Sequence, residues 1–289
     1  MKVGFVNIFG RPNAGKSTLL NLLMGEKLAI VSPKIQTTRH RIKGILTAKD
    51  YQIILSDTPG IIEPKYKLHQ KMMQAVKNSL EDADVAILLV DVNDDWKVCD
   101  EIFSALKLRV PAIVVVNKID TATQEKIKNA VSFFEGKSYC KKTVTISALN
   151  ESNKKKLLKL VLEFLPVGER YYQEDEMTDL SVRFIVAELI REKIFELFEE
   201  EIPYHATVIV QEFSQKSTLV KIMAEVIVQR ETQKGILLGE GGRMIKKLGT
   251  SARLEIEKFI NQKVFLQLHV KVRPHWRDNE LYLKEYGYS

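Results

Sequence analysis

Aliphatic residues in this chain come in short blocks separated by polar or glycine-rich breaks. Residues 2–9 (KVGFVNIF) read as a buried strand, and after a glycine-rich turn residues 17–24 continue as an apolar-periodic helix. Further strands are predicted at 41–47, 52–56, 85–91, 112–117 and 143–147, with helices at about 68–82, 98–108, 123–135 and 152–165. Strands alternating with helices predict a mostly parallel α/β sheet, whose ligands sit at the carboxyl ends of the strands. Any motif that carries chemistry should therefore follow a strand.

Past Pro166-Val167-Gly168 the grammar changes. The polar run 169–179 reads as a linker. Residues 181–199 form a helix with Phe184, Ala187, Leu189, Ile190, Ile194, Leu197 and Phe198 spaced for one buried face. Strands follow at 206–213 and 219–229, a short helical piece at 233–238, Gly239-Glu240-Gly241-Gly242, a helix at 243–261 and a strand at 264–272. The order is α-β-β-α-α-β, without internal repeats. A length of 289 residues suits the two domains this implies, 1–168 and 181–289 with a C-terminal tail, joined through 169–180.

A composition of 45% hydrophobic and 28% charged residues excludes wholesale disorder and fibrous repeats. The longest aliphatic runs, 85–90 and 112–116, fall far short of the ~18 residues a membrane span needs. Met1-Lys2-Val3 runs directly into Gly4, Asn7, Gly10 and Arg11 with no signal-peptide core, so a cytosolic chain is expected. Cys99 and Cys140 form no CxxC pair and read as plain thiols, and His40, His69, His205, His269 and His275 show no metal spacing. The net charge of +7 is concentrated in residues 1–170 and 202–289, around an acidic stretch at 171–201, which suggests a polyanionic partner for at least one domain.

Gly10-Arg11-Pro12-Asn13-Ala14-Gly15-Lys16-Ser17 matches G-x-x-x-x-G-K-[ST] between the predicted first strand and first helix. Its glycines turn backbone N–H groups onto a phosphate chain. Lys16 reaches the β and γ phosphates, and Ser17, with Thr18 behind it, stands where a hydroxyl meets Mg²⁺. Asp57-Thr58-Pro59-Gly60 follows the strand at 52–56, placing Asp57 to support Mg²⁺ and Gly60 to offer its N–H to the γ phosphate. Asn117-Lys118-Ile119-Asp120 ends another strand. The Asp120 carboxylate can accept from guanine N1–H and its 2-amino group, whereas adenine would leave it unpaired. Ser147-Ala148 follows the next strand and can give an N–H to the purine oxygen. Four elements in this order constitute a GTPase signature, with Lys16, Thr38, Asp57 and Gly60 as the expected catalytic set and Ser17, Thr38 and Asp57 as the metal set.

Thr38 is chosen from Gln36-Thr37-Thr38-Arg39-His40-Arg41 as the switch residue that binds Mg²⁺ and senses the γ phosphate. Directly after Gly60 stands Ile61, where many GTPases carry a water-orienting glutamine. Hydrolysis is therefore expected to be slow or to depend on another group, and Asn13 is a candidate K⁺ ligand. In the C-terminal half, Gly239-Glu240-Gly241-Gly242 followed by Arg243, Lys246 and Lys247 matches the GxxG clamp of a KH module. Ile236, Leu237, Leu238 and Ile245 are candidates for its base-binding groove, and the stretch ending in His275-Trp276-Arg277 could extend the RNA surface.

These motifs, together with Phe-Ile-Val-Ala-Glu-Leu-Ile-Arg-Glu-Lys from Phe184 on, resemble the Era-like family of ribosome-assembly GTPases over nearly the whole length. The resemblance implies a P-loop GTPase domain followed by an α+β type II KH domain, GTP hydrolysis to GDP with Mg²⁺, and a monomer. It also implies binding to the 3′ end of 16S ribosomal RNA in 30S subunit biogenesis, and peripheral association with the inner membrane. Ile61 agrees with the family's hydrophobic residue at that position. The alternative reading is a GTP-dependent switch that docks to protein or membrane through its C-terminal unit without specific RNA recognition.

Overall fold

The aliphatic blocks become strands buried on both faces, as expected where helices cover a parallel sheet. A computed structural model describes residues 1–288, so Ser289, the last residue assigned to the C-terminal domain, lies outside it. The chain forms two compact units, residues 1–64 with 72–179, and 65–71 with the chain from Leu180 onward.

In chain order the first elements are β1 (Lys2–Phe9), α1 (Lys16–Met24), β2 (Ile42–Ala48), β3 (Tyr51–Asp57), α2 (Lys67–Glu81), β4 (Val85–Asp91), α3 (Trp96–Ala105), β5 (Ala112–Asn117), α4 (Gln124–Glu135), β6 (Cys140–Thr145) and α5 (Lys154–Phe164). The sheet order is β2-β3-β1-β4-β5-β6, parallel except for β2 against β3. Phe9, Leu88, Val90, Phe103, Val114 and Phe134 anchor the core on one face. Helix α3 starts two residues before the predicted position because the Asp95 side chain accepts from the N–H groups of Lys97 and Val98, an N-cap that hydrophobic periodicity does not register. Residues 169–179, read from sequence as a linker, lie along β2 and β3. The N–H groups of Tyr171 and Tyr172 donate to Gln52 Oε1 at 2.8 and 3.0 Å, Ile45 N–H donates to Met177 O at 2.8 Å, and Thr178 Oγ1 donates to Lys43 O at 2.6 Å.

The second unit contains α6 (Val182–Leu197), α7 (Ile202–His205), β7 (Thr207–Gln215), β8 (Val220–Val228), α8 (Glu231–Leu238), α9 (Arg243–Ile260), β9 (Val264–Val272) and α10 (Glu280–Glu285). Strand β8 pairs antiparallel with β7 and parallel with β9. Val186, Ile190, Ile194, Ile222, Ala224, Val226, Leu237, Leu248 and Ile256 fill the core. Leu237 therefore belongs to the interior and not to a groove, whereas Ile236, one residue earlier, is half exposed. The tail is built inward as well. Trp276 is completely buried, its indole N–H donating to His205 O at 2.9 Å, and Tyr288 OH lies 3.1 Å from Thr207 Oγ1. A ring used in this way is not available to stack on a base, which corrects the expectation for Trp276. Among the described residues no helix is long and apolar enough to cross a membrane.

Candidate functional site

The β1–α1 turn wraps around its own lysine. Lys16 Nζ donates to the carbonyls of Gly10 at 3.3 Å and Arg11 at 2.9 Å, and Gly15 caps α1 with φ 98°, a left-handed conformation that suits glycine. Burial lowers the Lys16 ammonium from its usual 10.5 to about 8, with Asp57 and Asp94 pulling it partly back. The ammonium is thus held largely dehydrated, where an added phosphate would be felt strongly.

Next to it, three oxygens converge. Ser17 Oγ donates to Asp57 Oδ2 at 2.6 Å, Thr38 Oγ1 donates to the same oxygen at 3.2 Å, and the two hydroxyls are 2.8 Å apart. Asp57 is fully buried, its Oδ1 has no hydrogen-bond partner, and burial raises its carboxyl above the usual range against the opposing pull of Lys16 and the two hydroxyls. A hard, all-oxygen donor set with an orphaned carboxylate oxygen fits Mg²⁺. Thr58 Oγ1 donates to Ile8 O at 2.7 Å and fixes the turn after Asp57. Gly60 approaches Pro12 so closely that a Cβ would lie 2.8 Å from the Pro12 nitrogen. Ile61 N–H donates to Gly10 O at 3.2 Å, while its side chain packs on the cluster around Phe9 and Leu88.

At the end of β5, Asn117 ties two loops together. Its Nδ2 donates to Ala14 O at 2.9 Å, and its Oδ1 accepts from Ala148 N–H at 3.0 Å. Lys118 pairs with Asp91 at 2.7 Å, and Ser147 Oγ donates to Asp120 Oδ1. A cavity of about 430 Å³ joins these parts. Of the residues expected from sequence, Pro12, Asn13, Gly15, Lys16, Ser17, Thr18, Thr38, Gly60, Asn117, Lys118, Asp120 and Ala148 line it. The others do not line it. Gly10 and Arg11 hold Lys16 through their carbonyls, the Arg11 guanidinium pairs with Asp94 at 3.4 Å, and Ala14 receives Asn117. Asp57 accepts from Ser17 and Thr38, Thr58 is bonded to Ile8 of β1, and Ser147 to Asp120, while Ile119 packs beside Val92 and Val116. Pro59 is buried. Gln36 and Thr37, in the segment from which Thr38 was chosen, also line the cavity, as do Ile30, Val31, Ser32, Pro33, Thr121 and Leu149, which sequence reasoning did not single out. Leu149 is 76% exposed directly after Ser147-Ala148, and its position in the motif was the one available signal.

In the second unit, Gly239, Gly241 and Gly242 all have positive φ, at 69°, 57° and 77°, which explains three glycines in four residues. Gly242 caps α9, and Arg243, Lys246 and Lys247 are exposed on its first two turns. Glu240 is exposed beside them. This loop presents a backbone without side-chain cover next to three cations, and Glu240 partly offsets their charge.

Residues 5–118 match the family described as 50S ribosome-binding GTPase, and residues 201–277 match the KH domain family. GTPase Era of Caldanaerobacter subterraneus subsp. tengcongensis is 44% identical over 292 residues, covering 100% of this chain and 98% of that protein. GTPase Era of Clostridium perfringens is 42% identical over 291 residues, with 100% and 98% covered. Two solved structures match at 40% identity with a TM-score of 0.96 over 100% of this chain. One is a variant of Aquifex aeolicus Era bound to GDP.AlF4-, covered over 100% of its length. The other, covered over 99%, is Era in complex with MgGDPNP and nucleotides 1506-1542 of 16S ribosomal RNA.

Proposed function

We infer the function of this chain from the premise that it belongs to the Era family of GTPases: it hydrolyses GTP to GDP and phosphate, and engages the 3′ end of 16S ribosomal RNA in 30S subunit biogenesis. The observation that carries the catalytic half is the convergence of Ser17, Thr38 and Asp57 beside the dehydrated Lys16, in a cavity that also reaches Asp120.

Ser17 and Thr38 would hold Mg²⁺ through their hydroxyls, with Asp57 supporting them. Bound Mg²⁺ supplies positive charge to the β and γ phosphate oxygens. Lys16 would give a second positive charge, strengthened by its loss of water. Thr38 rests on Asp57 and Ser17, and a γ phosphate with its Mg²⁺ would add a further contact that its segment loses again on hydrolysis. Asp120 selects guanine by accepting two hydrogen bonds, and the Ser147 hydroxyl holds its carboxylate in place. The Ile61 side chain, turned into the core, cannot orient the attacking water. Asn13 uses Nδ2 on Pro33 O at 2.8 Å, so its Oδ1 is the acceptor offered to K⁺ as a substitute positioning charge.

On the RNA side, Arg243, Lys246 and Lys247 would meet phosphates while the loop from Gly239 to Gly242 lets the strand approach. A cytoplasmic monomer with peripheral attachment to the inner membrane belongs to the same proposal, and liposome flotation tests the attachment. The deciding experiment combines calorimetric titration of GDP and GDPNP in Mg²⁺ with filter binding of an oligonucleotide matching the 16S 3′ end. Saturable heat and GDPNP-dependent RNA retention are expected, and the absence of heat with folded protein overturns the reading. RNA retention unaffected by Gly239→Asp with Gly242→Asp would instead give the C-terminal unit a docking role.

A further inference from the structure

Arg41 does not line the nucleotide cavity, yet its guanidinium is the centre of a dense polar network in the first unit. Nε and Nη2 donate to Ser56 Oγ at 3.0 and 2.9 Å, and Nη2 also reaches Asn7 Oδ1 at 3.3 Å. The same guanidinium forms a two-pronged pair with Asp82, at 2.5 and 3.0 Å. Asn7 completes the circuit by donating to Ser79 O at 2.5 Å and Asp82 Oδ1 at 2.8 Å. Asn7, Ser56 and Ser79 are fully buried, so their polar groups have no water to fall back on.

The residues joined in this way belong to the two segments that must respond to nucleotide. Thr38 lies three residues before Arg41, Ile42 stands opposite Asp57 in the β2–β3 ladder, and Ser56 immediately precedes Asp57. Ser79 lies in the last turn of α2, the helix after Asp57-Thr58-Pro59-Gly60, and Asp82 directly follows that helix. We propose that Arg41 is a positioning residue that couples the Thr38 segment to the Asp57 segment, so that both close on the γ phosphate as one unit. This rests on the nucleotide reading given above.

Chain geometry sets the selectivity of the effect. Three residues span at most ~11 Å, so pinning Arg41 restricts how far Thr38 can wander. With the pin removed, closing Thr38 onto a γ phosphate must order a looser segment. GDP has no γ phosphate for Thr38 to meet, so its binding escapes that cost. A planar, five-donor guanidinium is needed, since neither glutamine nor lysine can serve Ser56, Asn7 and both Asp82 oxygens together.

The test is a titration of fluorescent GDP and GDPNP in saturating Mg²⁺ against the parent, Arg41→Gln and Asp82→Asn, with melting curves to verify folding. Arg41→Gln should weaken GDPNP about tenfold, within the usual range for coupled sites, and leave GDP nearly unchanged. Asp82→Asn, at a partly exposed carboxylate, should shift the same ratio in the same direction and keeps the test alive if the arginine variant does not fold. Equal weakening of both nucleotides, or an unchanged ratio in the folded variants, overturns the coupling role. A parent protein that binds neither nucleotide overturns the underlying reading instead.

Discussion

Replacing Asn117 by alanine isolates the tie between the phosphate loop and the base-binding loop. The substitution deletes two hydrogen bonds, to Ala14 O and from Ala148 N–H, at a residue only 2% exposed. Each buried backbone group left unpaired, Ala14 O first and Ala148 N–H second, costs about 1–3 kcal/mol. Water reaching the cavity side of Ala148 reduces the second contribution, so the total is about 2–4 kcal/mol. In the free protein, water can take over part of both ties. With a purine seated against the two loops it cannot, so most of the penalty falls on the bound state. The Kd for GDP should therefore rise roughly 30- to 700-fold, at 1.4 kcal/mol per tenfold. The melting temperature of the free protein should fall by only a few degrees. Calorimetric titration of GDP with Mg²⁺, paired with thermal melting, measures both. An unchanged Kd would show that Asn117 does not hold the loops, and a large fall in melting temperature without weaker binding would mean that the penalty was assigned to the wrong state.

Asp120→Asn should move preference from guanine toward xanthine, whose 2-carbonyl can accept from the new amide, and competition between GTP and XTP reads this directly; retained GTP selectivity refutes the assignment. Lys16 gives a pH prediction with a definite sign. Its folded value of about 8 lies below the ordinary 10.5, so the cost of burying its charge is complete below about pH 8 and is relieved as pH rises toward 10.5. Urea melts of the nucleotide-free protein should lose that rise in the Lys16→Met variant, and an identical pH slope in both proteins would exclude Lys16 as its source. Lys246→Ala should weaken single-stranded RNA binding regardless of sequence and reduce the log–log salt slope by roughly 0.7 if one phosphate contact is lost. Filter binding across a salt series decides this, and an unaltered slope removes Lys246 from the contact surface.

What could be read from the chain beforehand follows from how local each signal is. The strands β4 and β5 announce themselves because burial on both faces requires near-continuous aliphatic runs, β1 because it is a short apolar stretch, and the phosphate loop because its residues lie within one stretch of eight. The cavity wall from Ile30 to Pro33 carries no such mark, since loop side chains follow no period and only the fold brings them to the cavity. Asn117 was legible as part of a motif, but its work as a two-way tie depends on Ala14 and Ala148, which are distant in sequence. The tail misled for a similar reason. Aromatic residues among cations suit a nucleic-acid surface, yet Trp276, Tyr286 and Tyr288 are drawn into the interior, where their rings pack together. In α6 the expected stripe is present, but Ile185, Val186 and Phe195 are buried as well, so the covered face is wider than one stripe.

The placement of residues 169–179 bears on how the catalytic half should be prepared by itself. Strand β2 is an outer strand of its sheet, and Met177 and Thr178 occupy backbone groups of Ile45 and Lys43 that would otherwise face solvent. A truncation ending at Gly168 strips that cover and leaves a hydrogen-bonding edge open to other copies, which favours aggregation. Ending the expressed fragment after Asp179 keeps the edge sealed and retains the Lys43–Asp179 ion pair at 3.0 Å.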